Sequence, residues 1–171
     1  MGRMRKDEIL DRLVFSESAM EAYALSDGNH KDLGGDHWSR PVLLERSAYL
    51  RKLARFSEGS ASETIREFPG YSMILTVLLR SADAVMHEEN AQILMVLDGC
   101  ATLVSGGTLE RPKRAGPEQR MGSAIVGGAS RELRNGDVIH LPAGTPYQLL
   151  LGGEKAFSCL VVQVRETAPG G

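Results

Sequence analysis

Histidine, cysteine and aromatic residues are all scarce in this chain: four His, two Cys, one Trp, four Tyr and four Phe in 171 residues. Two cysteines rule out a disulfide framework and a four-cysteine zinc site. Cys100 (DGCATLV) and Cys159 (FSCLVVQV) both sit in apolar runs, where reduced core thiols are expected. No excess of one charge exists either. Twenty Lys+Arg against 22 Asp+Glu give a net charge of −2, with the signs interspersed, so there is no basic footprint for nucleic acid or for an anionic membrane. Hydrophobic runs fall far short of the roughly 20 residues that span a bilayer. The first residues, MGRMRKDEILDRL, are charged from the third position and carry no apolar leader core. A cytoplasmic location is expected. At this length a folded chain hides roughly 70% of the surface it exposes when unfolded, so a core can form without disulfide or metal staples.

Glycine is the residue in excess, 19 of 171 against a usual share of ~7%, and eleven of the 19 lie between Gly99 and Gly153. That stretch turns often. The first third of the chain is mainly helical. Ile9, Leu10, Leu13 and Val14 recur at helical spacing within residues 5–25. The run SDGNHKDLGGDHWSRP then reads as a loop over 26–41, and Leu43, Leu50, Leu53 and Ala54 mark a second helix over about 43–57. Its His30, Asp32, Asp36 and His37 fit no zinc spacing, so a solvated loop is expected, anchored by Trp38. From Ala61 onward short β-type runs alternate with Gly or Pro: SETIREF, YSMILTVLL, AVMH, QILMVLD, ATLVS, SRELR, DVIHLP, YQLLL and AFSCLVVQV. Their close spacing predicts an antiparallel sandwich or barrel. Residues 106–128 are too polar and too rich in Gly and Pro for core strand, and read as a long excursion, either a lid or a solvated loop.

Two segments carry a family resemblance. GDVIHLPAGTPY has the form Gly136-x5-Pro142-x-Gly144-x2-Tyr147, and upstream His87 is followed by four residues, Gln92, six more and Gly99. These resemble the second and first motifs of the cupin superfamily, G-x5-P-x-G-x2-H and H-x-H-x4-E-x6-G. The stretch from Ser105 through Leu151 also resembles a group of small bacterial single-domain cupins that share an insertion here and usually read T-P-H-Q where this chain has Thr145-Pro146-Tyr147-Gln148. The resemblance covers about residues 70–165. It implies an all-β antiparallel jelly-roll barrel over 58–166, with an N-terminal helical extension over 1–57 and a disordered tail over 167–171. It also implies homodimerisation, for which Ile93 and Met95 on the sheet's outer face are candidates.

The family's metal ligands, two His and a Glu from the first motif and a His from the second, carry over to Val85, His87, Gln92 and Tyr147. One strong ligand of four remains, since Val85 supplies no donor, Gln92 only a neutral carbonyl, and a phenol is a poor ligand near neutrality. No cofactor is therefore expected. The alternative is one divalent transition metal (Fe, Ni, Mn or Zn) on His87, completed by water or substrate, in an oxygenase or isomerase. Strand alternation puts Val85 with His87 on one face, and Gln92 with Leu94 and Val96 on another. In a cupin these faces line the interior. The expected site is then a small-molecule pocket with His87, Gln92 and Tyr147 as polar contacts, walls from Val85, Leu94, Val96, Leu149 and Leu151, and His140 as a further candidate. Metal-independent sugar epimerases among cupins use a His/Tyr acid/base pair, so the resemblance allows His87 and Tyr147 a catalytic role. The other readings of these residues are a filled core left after loss of a metal site, or a barrel whose insertion and helices bind another protein.

Overall fold

A computed structural model describes residues 35–153 and 155–166. The expected helix over 5–25, His30, Asp32 and the terminal tail lie outside the described residues. The chain divides into two compact units, Met1–Arg46 and Ser47–Gly171, and all the strands belong to the second. Helix α1 runs Arg40–Ala54, three residues earlier at each end than the periodicity predicts. Ser39 supplies the carbonyl that takes the Leu43 N–H at 3.1 Å, and Pro41 is tolerated because a first-turn N–H has no intrahelical partner. The helix stops where Gly59, at φ +83°, returns its N–H to the Ala54 carbonyl at 3.0 Å. Leu50 and Ala54 are buried, and Arg51 reaches the Asp98 carboxylate at 3.5 Å.

The strands are β1 (Ser60–Phe68), β2 (Tyr71–Leu78), β3 (Ala84–His87), β4 (Asn90–Asp98) and β5 (Ala101–Ser105). They continue with β6 (Thr108–Leu109), β7 (Lys113–Gly116), β8 (Gln119–Gly122), β9 (Ile125–Val126) and β10 (Ala129–Leu133). The last are β11 (Val138–Leu141), β12 (Tyr147–Leu150) and β13 (Phe157–Arg165). A five-stranded sheet has the order β1-β2-β13-β4-β11, a six-stranded sheet β10-β5-β12-β3-β8-β7, and β6 and β9 form a separate ribbon. Every pairing is antiparallel. Both sheets feed one apolar cluster: Leu78, Leu94, Val96, Ile139, Leu141, Phe157, Cys159 and Val161 from the first, and Ala101, Leu103, Leu133 and Leu149 from the second. Among the described residues no helix is long and apolar enough to cross a membrane.

Two expectations change. Residues 106–128 are not a structureless loop. They fold into the short strands β6 to β9, and β8 extends the six-stranded sheet by pairing with β3. A four-residue edge hairpin needs no apolar run, because the backbone ladder holds it and one face is solvated. That is why polarity hid it. The second change concerns the thiols. Cys159 is buried, but Cys100 is exposed. It follows Gly99 in the β4–β5 turn, where Gly99 sits at φ +85° and a Cβ would collide with the Ala156 carbonyl oxygen. The turn lifts Cys100 out of the apolar run that frames it in sequence.

Candidate functional site

Cross-strand pairing assembles the site. Tyr147 is the Cα partner of Val85, and His87 is one alternation further along β3, so Val85, His87 and Tyr147 share the inner face of the six-stranded sheet. The His87 and Tyr147 rings stack with centroids 6.3 Å apart and an interplanar angle of 27°. From the opposite sheet Gln92 points inward with Leu94 and Val96. Its side-chain oxygen accepts the Tyr147 hydroxyl at 3.5 Å, the long limit of a hydrogen bond. Gln92 is 3% exposed, and its Nε2 is buried without a hydrogen-bond partner. The second motif also fixes the first. Gly144, at φ +74°, donates its N–H to the His87 carbonyl at 2.7 Å, pinning the backbone of the strand that carries the imidazole.

Burial sets the charge state of these groups. Desolvation lowers the His87 pKa below its ordinary 6.5, favouring the neutral ring. It raises the Tyr147 phenol well above 10, with the Cys159 thiol adding to the rise. Tyr147 is therefore a hydrogen-bond donor, not a phenolate, and His87 is an available base. Below the pair, Leu94, Val96 and Leu149 are buried members of the apolar cluster, and Leu151 packs against it.

His140 takes no part. On β11 the buried residues are Ile139 and Leu141, so alternation turns His140 outward, where it is exposed and opposite Ile93. Its strand begins on exposed Val138, which reverses the face assumed from sequence. Two inward residues escaped the sequence reading. Gln163 is the Cα partner of Gln92 and of Ser72, and shares its face with Phe157, Cys159 and Val161. The alternation in FSCLVVQV carried that signal. Gln119, the Cα partner of His87, comes from the 106–128 insertion. Only the strand register reveals it.

The turns beyond His87 carry charges that satisfy one another. Glu88 pairs with Arg120 at 2.6 Å and Arg114 at 3.6 Å, while Arg165 pairs with Glu89 at 2.6 Å and Glu118 at 3.5 Å. The Glu166 carboxylate accepts the Ala143 N–H at 2.9 Å.

No protein-family model and no curated protein matches the sequence. Solved structures do. TT1209 from Thermus thermophilus superposes with a TM-score of 0.51 at 17% identity, over 72% of this chain and 95% of that one. A cupin-superfamily sugar phosphate isomerase from Silicibacter pomeroyi gives 0.46 at 19% identity, over 64% of this chain and 61% of that one. A Cupin 2 conserved barrel domain protein from Salinispora arenicola gives 0.43 at 18% identity, over 61% and 75%. The chain has the two-sheeted antiparallel jelly-roll fold, and TT1209 shares that architecture. What the chain shares with TT1209 is architecture; the chemistry of the site lies in its own side chains. A divalent metal held between the two motifs needs several imidazole or carboxylate donors. At the four corresponding positions this chain offers one imidazole, one amide, one protonated phenol and the hydrocarbon of Val85. Among the described residues no three His, Cys, Asp or Glu come together. These side chains are a poor match for such a metal.

Proposed function

We propose that this cupin binds a small organic molecule inside the barrel, without a metal ion, through His87, Gln92 and Tyr147. The observation that carries the reading is the buried, unpartnered Nε2 of Gln92. A desolvated donor left unmade costs about 1–3 kcal/mol, and a ligand acceptor would supply the missing bond. Apolar walls beneath a few convergent polar groups are how small-molecule sites are built. A second reading, proton transfer next to a ligand carbonyl, is favoured by the stacked pair of neutral His87 and protonated Tyr147. Ile93 and Met95 turn away from the apolar cluster, and we read that outer face as a homodimer contact, to be checked by light scattering.

Elemental analysis of protein purified without chelator, together with mass spectrometry of the small molecules it releases on denaturation, tests the binding reading. An organic compound released by the wild type and absent from Gln92→Leu is the expected result. Near-stoichiometric iron, nickel, manganese or zinc, lost in His87→Ala, would overturn it.

A further inference from the structure

The polar layer of the barrel is made of amides. On the five-stranded sheet Ser72, Gln163, Gln92 and Leu141 lie in one cross-strand row, and on the facing sheet Gln119 stands beside His87. No Lys, Arg, Asp or Glu occupies those six places, although the first row ends at the sheet edge on exposed Glu67. In the turns beyond this layer, Glu88, Glu89, Glu118, Arg114, Arg120 and Arg165 are tied into ion pairs with one another. A ligand carboxylate or phosphate would find no countercharge within that layer, since Lys113, on the same face in the row of Met121 and Val85, stands exposed at the sheet edge, and burying an uncompensated ion is costly. A glutamine amide instead presents a donor beside an acceptor. It pairs with an uncharged edge that carries the same two groups in reverse.

Resting on the binding reading above, we infer that the ligand is an uncharged molecule with a carbonyl next to an N–H or O–H, and that it is held by Gln92 and by Gln119. The Gln92 Nε2, buried and unpartnered, donates to the ligand carbonyl. Gln119 reaches the same ligand from the other side, because directly opposed residues of an antiparallel pair share a face with Cβ atoms roughly 5 Å apart. Gly116 is the residue across from Gln119 on β7, and a Cβ there would stand 4.0 Å from the Gln119 Oε1, an ordinary contact. The 106–128 insertion thus contributes a wall of the site and selects what enters.

The test uses matched probes, uracil against orotate, benzamide against benzoate and succinimide against succinate, titrated into the full-length 15N-labelled protein. Side-chain amide resonances and saturation-transfer signals are the readouts. The neutral member of at least one pair is expected to bind and to shift the Gln92 and Gln119 amide signals. Gln92→Leu and Gln92→Met should each abolish that binding, and Gln119→Ala should weaken it about tenfold. Tighter binding of the charged members inside the barrel would overturn the uncharged-ligand inference while leaving a small-molecule site. Neutral binding that Gln119→Ala does not alter would overturn the role of the insertion. No binding by any probe, together with no compound released on denaturation, would overturn both this inference and the reading beneath it.

Discussion

Replacing the buried polar pair by hydrocarbon, in Gln92→Leu/Tyr147→Phe, should make the ligand-free protein more stable while abolishing binding. Gln92 is 3% exposed, and its Nε2 has no partner. Removing that donor recovers about 1–3 kcal/mol of desolvation. The bond that is lost, Tyr147 hydroxyl to Gln92 at 3.5 Å, is too long to contribute the full ~1 kcal/mol of an ordinary hydrogen bond. Removing both ends together leaves neither orphaned, which is why the double variant is preferred to either single one. Leucine at 92 extends the apolar stack of Leu94 and Val96, so no cavity term opposes the gain. With the lost bond deducted the net is about 0.5–2.5 kcal/mol, which for a chain of this size corresponds to a rise in Tm of roughly 1–10 °C. Differential scanning calorimetry on protein stripped of bound compounds by unfolding and refolding measures it. As a control, Leu94→Ala on the same face should cost about 2–5 kcal/mol through its cavity. A double variant melting several degrees below the wild type would refute the reasoning, because the pair would then be structural glue.

The two thiols should separate cleanly. Burial pushes Cys159 up to about 12, whereas Cys100 is exposed, so mild alkylation near neutral pH should add one label to the folded protein and two in denaturant, read by intact mass; two labels on the native protein would contradict the burial. Gly144→Val should cost about 1–2 kcal/mol in urea unfolding. Space is open around a Cβ there, so the cost is the strain of φ +74° alone, and Gly144→Asn should recover most of it because Asn tolerates that backbone. His87 binds its proton more weakly when folded than when unfolded, so between the lowered pKa and about 6.5 the unfolded chain holds more protons. Stability should then fall as pH drops through that window and show no His87 contribution above it. His87→Gln should flatten this slope in urea midpoints taken across the range, and an unchanged slope would remove His87 as its source.

The strands that bury apolar alternations were legible from sequence. β3 matches its run residue for residue, and β2, β4, β5, β11, β12 and β13 match theirs within two residues, because one wet and one dry face leave a period of two. The inward placement of His87, Gln92 and Tyr147 followed from the same alternation. His140 failed for a related reason. In VIHL the residues at both parities are apolar or ambivalent, and the face was decided by the pairing of Ile139 with Leu94, which no local pattern encodes. The hairpin of the insertion failed because its strands are stabilised by backbone pairing and by Glu88–Arg120 across strands, not by hydrophobic burial. Gln119 therefore has no sequence signal at all.

A core that had merely lost its metal would have no physical reason to keep an unmade hydrogen bond. The rest of the barrel shows how readily hydrocarbon fills it: Leu94, Ile139, Val161 and Leu149 are all buried under 10% exposure on inward faces. Gln92 sits two residues from Leu94 on the same face, and a leucine there would remove a penalty of about 1–3 kcal/mol from a fold whose whole stability is of order 5–15 kcal/mol. On the proposed reading the amide is filled when the protein works, and the ligand bond offsets that cost. The neutrality of the layer points the same way. With burial favouring neutral His87 and protonated Tyr147 and the charges beyond them paired, the layer offers directional hydrogen bonds and no charged side chain of its own. Such a site discriminates by the placement of donors and acceptors, and it loses the most affinity when a ligand leaves one of them unpaired.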